Sequence, residues 1–365
     1  MKLVFIIYLV AIVLANIYVF FRLWTLMPFI TPVKTVFVSL AALSFVSSIA
    51  FFTLGEKLPI PLTTALDLTG TSWLVIMLYL FLFFIAFDLM RLVGIGFAQK
   101  LLHHNLGTTI GLLAGMIALL TYGNMRYNHK ERVELSLKTH RPLARPLRVV
   151  ALSDVHLGYT ITKDEVARWV KLINAERPDM ILIAGDLVDG YLRPLMADGT
   201  ADLLATLHAP LGVYACLGNH EYLADDRRAE AFLNRAGITM LRDSVAMPQG
   251  LLYVVGRDDR SNPTRRTVAD LVSTLPDATK PIILLDHQPY DLDQSASAGV
   301  DLQLSGHTHR GQVWPISLIT DAIYEKSHGY LKKSDTHIYV SSGIGLWGGK
   351  YRIGTQSEYV VIDLS

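Results

Sequence analysis

The sequence predicts an α/β protein, a two-sheet sandwich flanked by helices, preceded by an all-α transmembrane region of about four helices. Three observations carry that expectation. Long apolar runs are confined to the part before about residue 125; the remainder carries short β-rich runs with a helical pattern between the first two; and the early runs each end in glycine or a polar side chain. The implied division is 1–125 for the membrane region, 126–146 for a basic linker and 147–365 for a folded domain.

Composition narrows the function classes. With 51% hydrophobic and 18% charged residues among 365, the chain is too apolar for a simple soluble enzyme. Its 33 basic and 32 acidic side chains leave a net charge of +1, so no bulk field draws it to nucleic acid and no nucleic-acid partner is indicated. Cys216 is the single cysteine and excludes an internal disulfide.

The four expected spans are residues 3–21, 35–54, 71–90 and 106–122, each near the ~20 residues that cross a bilayer as helix. MPFITP (27–32) and KLPIP (57–61) lie between them and read as loops, because proline interrupts a helix. Lys2 before an apolar run resembles a signal peptide, but the run is long, lacks a small-x-small site and is followed by further spans, so the first helix is expected to be retained. An even number of spans puts both ends on one side. Lys2, Lys57, Arg126, Lys130, Arg132, Lys138 and Arg141 lie on that side, against Arg22, Lys34, Arg91 and Lys100 on the other. The positive-inside rule then makes this a multi-pass protein of the cell inner membrane with its C-terminal domain in the cytoplasm. Asp88 and Arg91 share a helix face and read as charges at the membrane interface.

The C-terminal part repeats one grammar. LRVVALSD (147–154), DMILIAGD (179–186), GVYACLGN (212–219), PIILLDH (281–287) and DLQLSGH (301–307) are apolar strands that each deliver a polar group at their end. Between the first two, Val166, Trp169, Val170 and Ile173 have helical spacing, behind a Thr162 cap and before Pro178. A strand–helix–strand unit means a parallel sheet, and chemistry in such sheets gathers beyond the carboxyl ends of the strands. The later strands 251–256, 336–343 and 357–364 have fewer helices between them and suggest a second sheet packed on the first.

Collected in order, the polar groups are Asp154 and His156, Asp186, Asn219 and His220, His287, and His307 and His309. In extended backbone, residues i and i+2 point to the same side, so Asp154 with His156, and His307 with His309, can each aim a donor pair into one cleft. Glycines 185, 218 and 306 allow sharp turns there. Without His220 there are seven oxygen or imidazole donors, more than one ion needs; two ions sharing one carboxylate would use them.

The ordered series SDVHLG, AGDLVDG, LGNHEY, DHQP and SGHTHRGQ resembles the calcineurin-like metallophosphoesterase superfamily and its membrane-anchored bacterial branch, over residues 147–365. The resemblance implies a two-sheet sandwich with a pair of divalent metals at strand ends. Asp154, His156 and His309 would hold one, Asn219, His287 and His307 the other, Asp186 would bridge them, and His220 would face the substrate. Arg310 stands where relatives often carry a second glycine and adds a cation beside the ligands.

Phosphate esters resist attack because their oxygens are already negative. Two cations ~3.5–4 Å apart both generate hydroxide at neutral pH and neutralise the transition state. His220 would protonate or stabilise the leaving oxygen. The donor set suits Mn²⁺, which is favoured, or Fe or Zn²⁺. Arg310 and Arg352 are expected to bind substrate, since guanidinium forks match phosphate oxygens. The expected function is a membrane-bound hydrolase of phosphate mono- or diesters, with lipid-linked phosphates or pyrophosphates as candidate substrates and the lipid bilayer as partner. The competing expectation is a non-catalytic membrane sensor or scaffold that retains the fold; an intact set of donors argues for the enzyme.

Overall fold

The apolar runs form helices that continue until a breaker or a cap stops them. In the computed structural model, which describes residues 2–365, these are α1 (Lys2–Leu26), α2 (Thr31–Leu54), α3 (Ile60–Leu92), a short α4 (Gly96–Leu101) and α5 (Leu106–Asn128). The side chains of Lys2, counted above in the charge balance, of residues 3–6 and of Tyr8 lie outside that description. All but α4 are long and apolar enough to cross a membrane. The third span starts at Ile60 rather than at 71, because Pro61 in KLPIP occupies the first turn, where its missing N–H costs nothing. Its 33 residues extend ~50 Å, well beyond the ~30 Å hydrocarbon core.

The chain divides into two units, the first up to Tyr122 with Gly348–Lys350, the second Gly123–Trp347 with Tyr351–Ser365. In the first, Val19 of α1 and Trp73, Met77, Leu80 and Phe84 of α3 form the centre of the packing. Trp73 donates its indole N–H to Asn16 Oδ1 at 2.8 Å, so both polar groups are satisfied within apolar surroundings. Asp88 accepts hydrogen bonds from Arg22 and, at 2.5 Å, from Tyr18, while Arg91 stands 3.9 Å away. The main partner of Asp88 is therefore Arg22, across the helix pair, rather than Arg91 on its own helix.

The second unit contains twelve strands in two six-stranded sheets: β1 (Lys130–Leu137), β2 (Leu147–Leu152), β3 (Met180–Ala184), β4 (Val213–Cys216), β5 (Thr239–Leu241), β6 (Ser244–Ala246), β7 (Tyr253–Gly256), β8 (Ile282–Leu285), β9 (Leu302–Ser305), β10 (Gly329–Lys333), β11 (Thr336–Val340) and β12 (Ser357–Leu364). The first sheet has the order β1-β12-β2-β3-β4-β5 and the second β10-β11-β9-β8-β7-β6. Strands β2 to β5 run parallel, as do β7, β8, β9 and β11. Strand periodicity assigns the two faces. Leu147, Val149, Ala151, Leu182 and Ala184 meet Val254, Ile283, Leu285 and Leu304 between the sheets. Val150, Ile181 and Ile183 point outward, under Val166, Trp169, Val170 and Ile173 of α6 (Lys163–Ala175). Helix α6 begins in a capping box between Thr162 and Glu165.

Short helices fill the connections: α7 (Arg193–Asp198), α8 (Thr200–Leu204), α9 (Asn219–Leu223), α10 (Asp226–Arg235), α11 (Val268–Ser273), α12 (Asp293–Ser297) and α13 (Ile316–Ile323). Two expectations need correction. The segment 126–146 is not a free linker: α5 runs to Asn128 and β1 pairs in parallel with β12 along its length. Val133, Leu135 and Leu137 alternate with exposed Arg132, Glu134 and Ser136, the pattern of an edge strand with a charged outer face. Strand 357–364 also belongs to the first sheet, antiparallel to β2, while β8 and β9 belong to the second.

Candidate metal centre

Strand ends of both sheets meet at one place. Asp154 and His156 follow β2, Asp186 follows β3, Asn219 and His220 follow β4, His287 follows β8, and His307 and His309 follow β9. Three groups of donor atoms lie within 4.8 Å of one another: Asp154, His156 and His309; Asp186, His287 and His307; and His156, Asp186 and His220. Asp186 belongs to two of these groups. Asn219 joins through its Oδ1, 2.8 Å from His307 Nδ1.

The backbone is bent to achieve this. Asp154, His156, Asp186, His307, His309 and Arg310 all have φ between 46° and 70°. Such left-handed conformations cost about 1–3 kcal/mol each in non-glycine residues and persist where the surroundings over-determine them. Among glycines 185, 218 and 306, Gly185 alone turns with positive φ. The other two are needed for closeness: a Cβ on Gly218 would lie 2.2 Å from Asp186 Oδ1, and one on Gly306 2.3 Å from Asp154 Oδ2.

Two of the imidazoles have an Nδ1 partner that sets the tautomer. His287 Nδ1–H donates to Ala184 O at 2.7 Å, and His156 Nδ1–H donates to Asp189 Oδ1 at 3.1 Å. Both arrangements free Nε2 as a lone-pair donor, as in carboxylate–histidine–metal sites. His287 Nε2 is buried, lies 3.1 Å from Asp186 Oδ2, and finds no hydrogen-bond partner among the described residues. His156 Nε2 and His309 Nε2 face each other at 3.0 Å, and His309 Nε2 is 3.4 Å from Asp154 Oδ1. Metal–ligand bonds of ~2.1 Å at tetrahedral or right angles put donor atoms about 3.0–3.4 Å apart, so the spacing fits a cation.

The electrostatics divide the candidate ligands. Burial pushes His307 down to about 4, with His287 adding to the effect, and it pushes His309 well below its ordinary range together with His156 and Arg352. Both are therefore neutral at pH 7, the state a metal ligand requires. Burial alone would lift the Asp186 carboxyl, but the charge of His287 beside it, followed by those of His220 and His156, holds it well below the usual carboxylate range; the same carboxylate lifts His287 well above its ordinary range against its own burial, so a cation at this place would displace the His287 Nε2 proton. For His220 burial opposes the charge, yet the Asp189 hydrogen bond and the Asp186 and Asp189 carboxylates raise it to about 9.

Two residues essential to this geometry were missed in the sequence. Asp189 Oδ1 lies 3.1 Å from His156 Nδ1 and 2.9 Å from His220 Nδ1, joining a candidate ligand to the candidate proton donor. The signal was the second carboxylate of GDLVDG. Glu221, fully buried, accepts the backbone N–H groups of Asp186, Val188 and Gly218 at 2.7–3.1 Å and so locks the β3 and β4 ends together. It is the acidic residue of GNHEY. Arg310 is half-buried and lines a polar cavity of about 280 Å³ of mixed charge, with Asp321, Tyr324, Glu325, Lys326 and His328.

Arg352 does not face a substrate. Its guanidinium is fully buried and donates to Ser342 O at 2.6 Å, Gly345 O at 2.7 Å, His309 O at 3.0 Å and Ser357 Oγ at 3.2 Å. The forked geometry that suits phosphate oxygens here gathers backbone carbonyls around the His309 turn.

A two-sheet α/β sandwich with clustered Asp, Asn and His donors at its strand ends defines the metal-dependent phosphoesterases. The family model described as calcineurin-like phosphoesterase matches residues 147–311. An uncharacterised metallophosphoesterase of Aquifex aeolicus is 33% identical over 250 residues, 65% of this chain and 95% of that protein. An uncharacterised metallophosphoesterase of Helicobacter pylori is 34% identical over 226 residues, covering 61% of this chain and 60% of its own length. A Danio rerio protein described as a transmembrane protein with metallophosphoesterase domain is 34% identical over 233 residues, 60% of this chain and 53% of that one. The chain belongs to the calcineurin-like metallophosphoesterases, phosphoric ester hydrolases built on dimetal centres.

The buried role of Arg352 makes a distinguishing prediction. Arg352→Lys cannot reach the same carbonyls, and each buried acceptor left unpaired costs about 1–3 kcal/mol. The variant should melt at lower temperature and lose bound metal, with a fall in kcat and an unchanged KM for a phosphate ester. A raised KM with full metal content and normal melting would restore the substrate-binding role.

Proposed function

We propose that this chain is a membrane-bound hydrolase of phosphate esters that works with two divalent cations. Asp154, His156 and His309 hold one, Asn219, His287 and His307 hold the other, and Asp186 bridges them. The observation that carries the reading is the convergence of six oxygen and nitrogen donors around Asp186, with His287 Nε2 buried and without a hydrogen-bond partner among the described residues. Imidazole and carboxylate donors without thiolate favour Mn²⁺, with Fe and Zn²⁺ as the other suitable ions. Such a pair supplies the Lewis acidity that hydrolysis of an anionic ester needs at neutral pH.

The chain's own groups do the rest. His220 is the proton donor for the leaving oxygen; its Nδ1 is engaged with Asp189 at 2.9 Å, which leaves Nε2 for transfer. Asp189 is a positioning residue that aligns His220 and His156 from one oxygen. The Asp186 carboxylate is fixed by the backbone N–H of His220 at 2.9 Å, so the bridge and the proton donor keep a constant separation. Arg310 offers its guanidinium to phosphate oxygens from the neighbouring cavity.

The substrate class we propose is a lipid or lipid-linked phosphate, pyrophosphates included. Four apolar helices support this, since a tether to the bilayer raises the effective concentration of membrane-borne esters. The loop charges favour an inner-membrane protein whose hydrolase domain, from about residue 147, lies in the cytoplasm.

Three experiments test the proposal. Asp186→Asn should strip both metals and nearly all hydrolysis, whereas Asn219→Ala should retain part of the metal; full occupancy with normal turnover in the Asp186 variant would sink the bridged scheme. For His220→Ala both metals should remain, with a loss of about 10²–10⁴-fold on an alkyl phosphate ester and a much smaller loss on a nitrophenyl ester, whose leaving group needs no proton. Equal losses on both esters would make His220 a charge stabiliser, and loss of metal would make it a ligand. A tag after Ser365 should resist protease added to intact cells, and cleavage there would reverse the orientation.

A further inference from the structure

Helix α13 is inside out for the surface of a water-soluble domain. Its Ser317 is buried and Thr320 half-buried, while Leu318, Ile319, Ala322 and Ile323 are exposed. Positions i, i+1, i+4 and i+5 fall on one face of a 3.6-residue helix, so the outward side carries an apolar stripe, bordered by exposed Asp321. The longer helices α6 and α10 of the same unit follow the opposite rule. Helix α6 buries Val166, Trp169, Val170 and Ile173, and α10 buries Ala229, Phe232 and Leu233. Trp314, just before α13, extends the stripe; it, Leu318, Ile319 and Ile323 are 52–60% exposed.

The stripe lies beside the metal centre. Only Gly311 to Pro315 separate α13 from His309 and Arg310, and Thr308 Oγ1 donates to Ser327 O at 2.5 Å, tying the ligand turn to the segment after the helix. On the other flank, Leu223 ends the helix that carries Asn219 and His220 and is 71% exposed. The partly exposed ring of Trp347 stands 6.5 Å from that of His220. Apolar side chains thus stand beside both ligand turns, with Arg310 and Lys326 half-buried and Asp321 and Glu325 exposed in the segment around α13.

We infer that α13, with Trp314 in front of it, is a membrane-docking surface that lays the mouth of the metal centre on the lipid interface. The inference rests on the proposed attachment of the chain to a bilayer. Lipid fits the stripe better than a second copy does. An eight-residue helix is ~12 Å long and cannot supply the ~1,200–2,000 Å² that a stable protein interface buries. A tryptophan and branched aliphatics beside Arg310 and Lys326 are a composition that settles at the boundary of headgroups and acyl chains, about 5–10 Å deep, and the two nearby acids are already engaged, Asp321 by the Ser327 hydroxyl and Glu325 by Lys333. The bilayer is also always at hand, because the same chain carries four helices able to span it.

The test uses the full chain in vesicles of phosphatidylcholine and phosphatidylglycerol. A single cysteine is introduced at Leu318, Ile319 or Ile323, or at exposed Lys171 on α6, and labelled with a nitrobenzoxadiazole dye; Cys216 is fully buried and the unsubstituted protein corrects for it. Lipid carrying a nitroxide at carbon 5 should extinguish most of the emission at 318, 319 and 323 and leave the label at 171 unchanged. In Leu318→Asp/Ile319→Asp, the label at 323 should escape quenching while a soluble nitrophenyl ester is still hydrolysed at the parental rate. Unquenched labels at all three positions overturn the inference, as does quenching at 323 that survives the double aspartate. Emission that changes with protein density rather than with nitroxide lipid overturns it in favour of self-association. The readout needs no turnover: a quenched 318 label on a protein that hydrolyses nothing would defeat the phosphoesterase reading and leave the docking surface in place.

Discussion

An ionised carboxylate that water cannot reach has to be compensated by the protein, and Asp186 imposes that demand on the whole hydrolase unit. It is 1% exposed. Moving such a charge out of water costs several kcal/mol unless partners with good geometry restore the lost hydration. Here the partners come from four other strand ends, and only a sandwich with the carboxyl ends of its parallel strands at one edge can bring them together. The close glycines, the left-handed ligands and the buried Glu221 brace all serve that convergence. A centre built this way is rigid before any cation arrives.

Much of this was legible in the sequence because strand ends announce themselves. An apolar run that stops at Ser-Asp, Gly-Asp, Gly-Asn-His, Asp-His or Gly-His-Thr-His has no packing reason to do so, and the five stops in one order pointed to the strand ends that the structure brings together. The capped helix after Thr162 was legible for the same local reason. The residues that were not legible act at long range. Arg352 in KYRIG reads as a substrate-binding cation and is buried instead because the His309 turn, together with the carbonyl of Ser342, closes around it. Asp189 gains meaning from two histidines 33 and 31 positions away. Strand β1 alternates weakly, and its pairing depends on a partner near residue 360. Sequence periodicity reports which side of an element is buried, not what it is buried against.

The helical unit shows the same limit. Asp88 and Arg91 look paired along α3, but the structure joins Asp88 to Arg22 and Tyr18 of α1. In surroundings without water, a charge is worth most to whichever neighbour can be enclosed with it, and Arg91 is half exposed whereas Arg22 is not. The Asn16–Trp73 hydrogen bond joins the same two helices. Polar contacts between α1 and α3 therefore give their apolar surfaces a fixed register, which greasy packing alone specifies poorly.

The placement of β12 between β1 and β2 has a consequence for how the protein is made. Strand β1 follows directly on the last apolar helix, yet among the described residues its strand partner is β12, about 220 residues downstream. At about 5–20 residues per second, a ribosome takes on the order of 10–40 s to deliver that partner. During this interval β2 also lacks a neighbour along one edge, and Glu358, which carries hydrogen bonds from Ser342 and Tyr339, has not been synthesised. The first sheet can close only after residue 364 has left the exit tunnel. A nascent chain inserted in the membrane thus holds an open sheet edge until the final stretch of translation, and hydrolytic competence arrives in one late step rather than strand by strand.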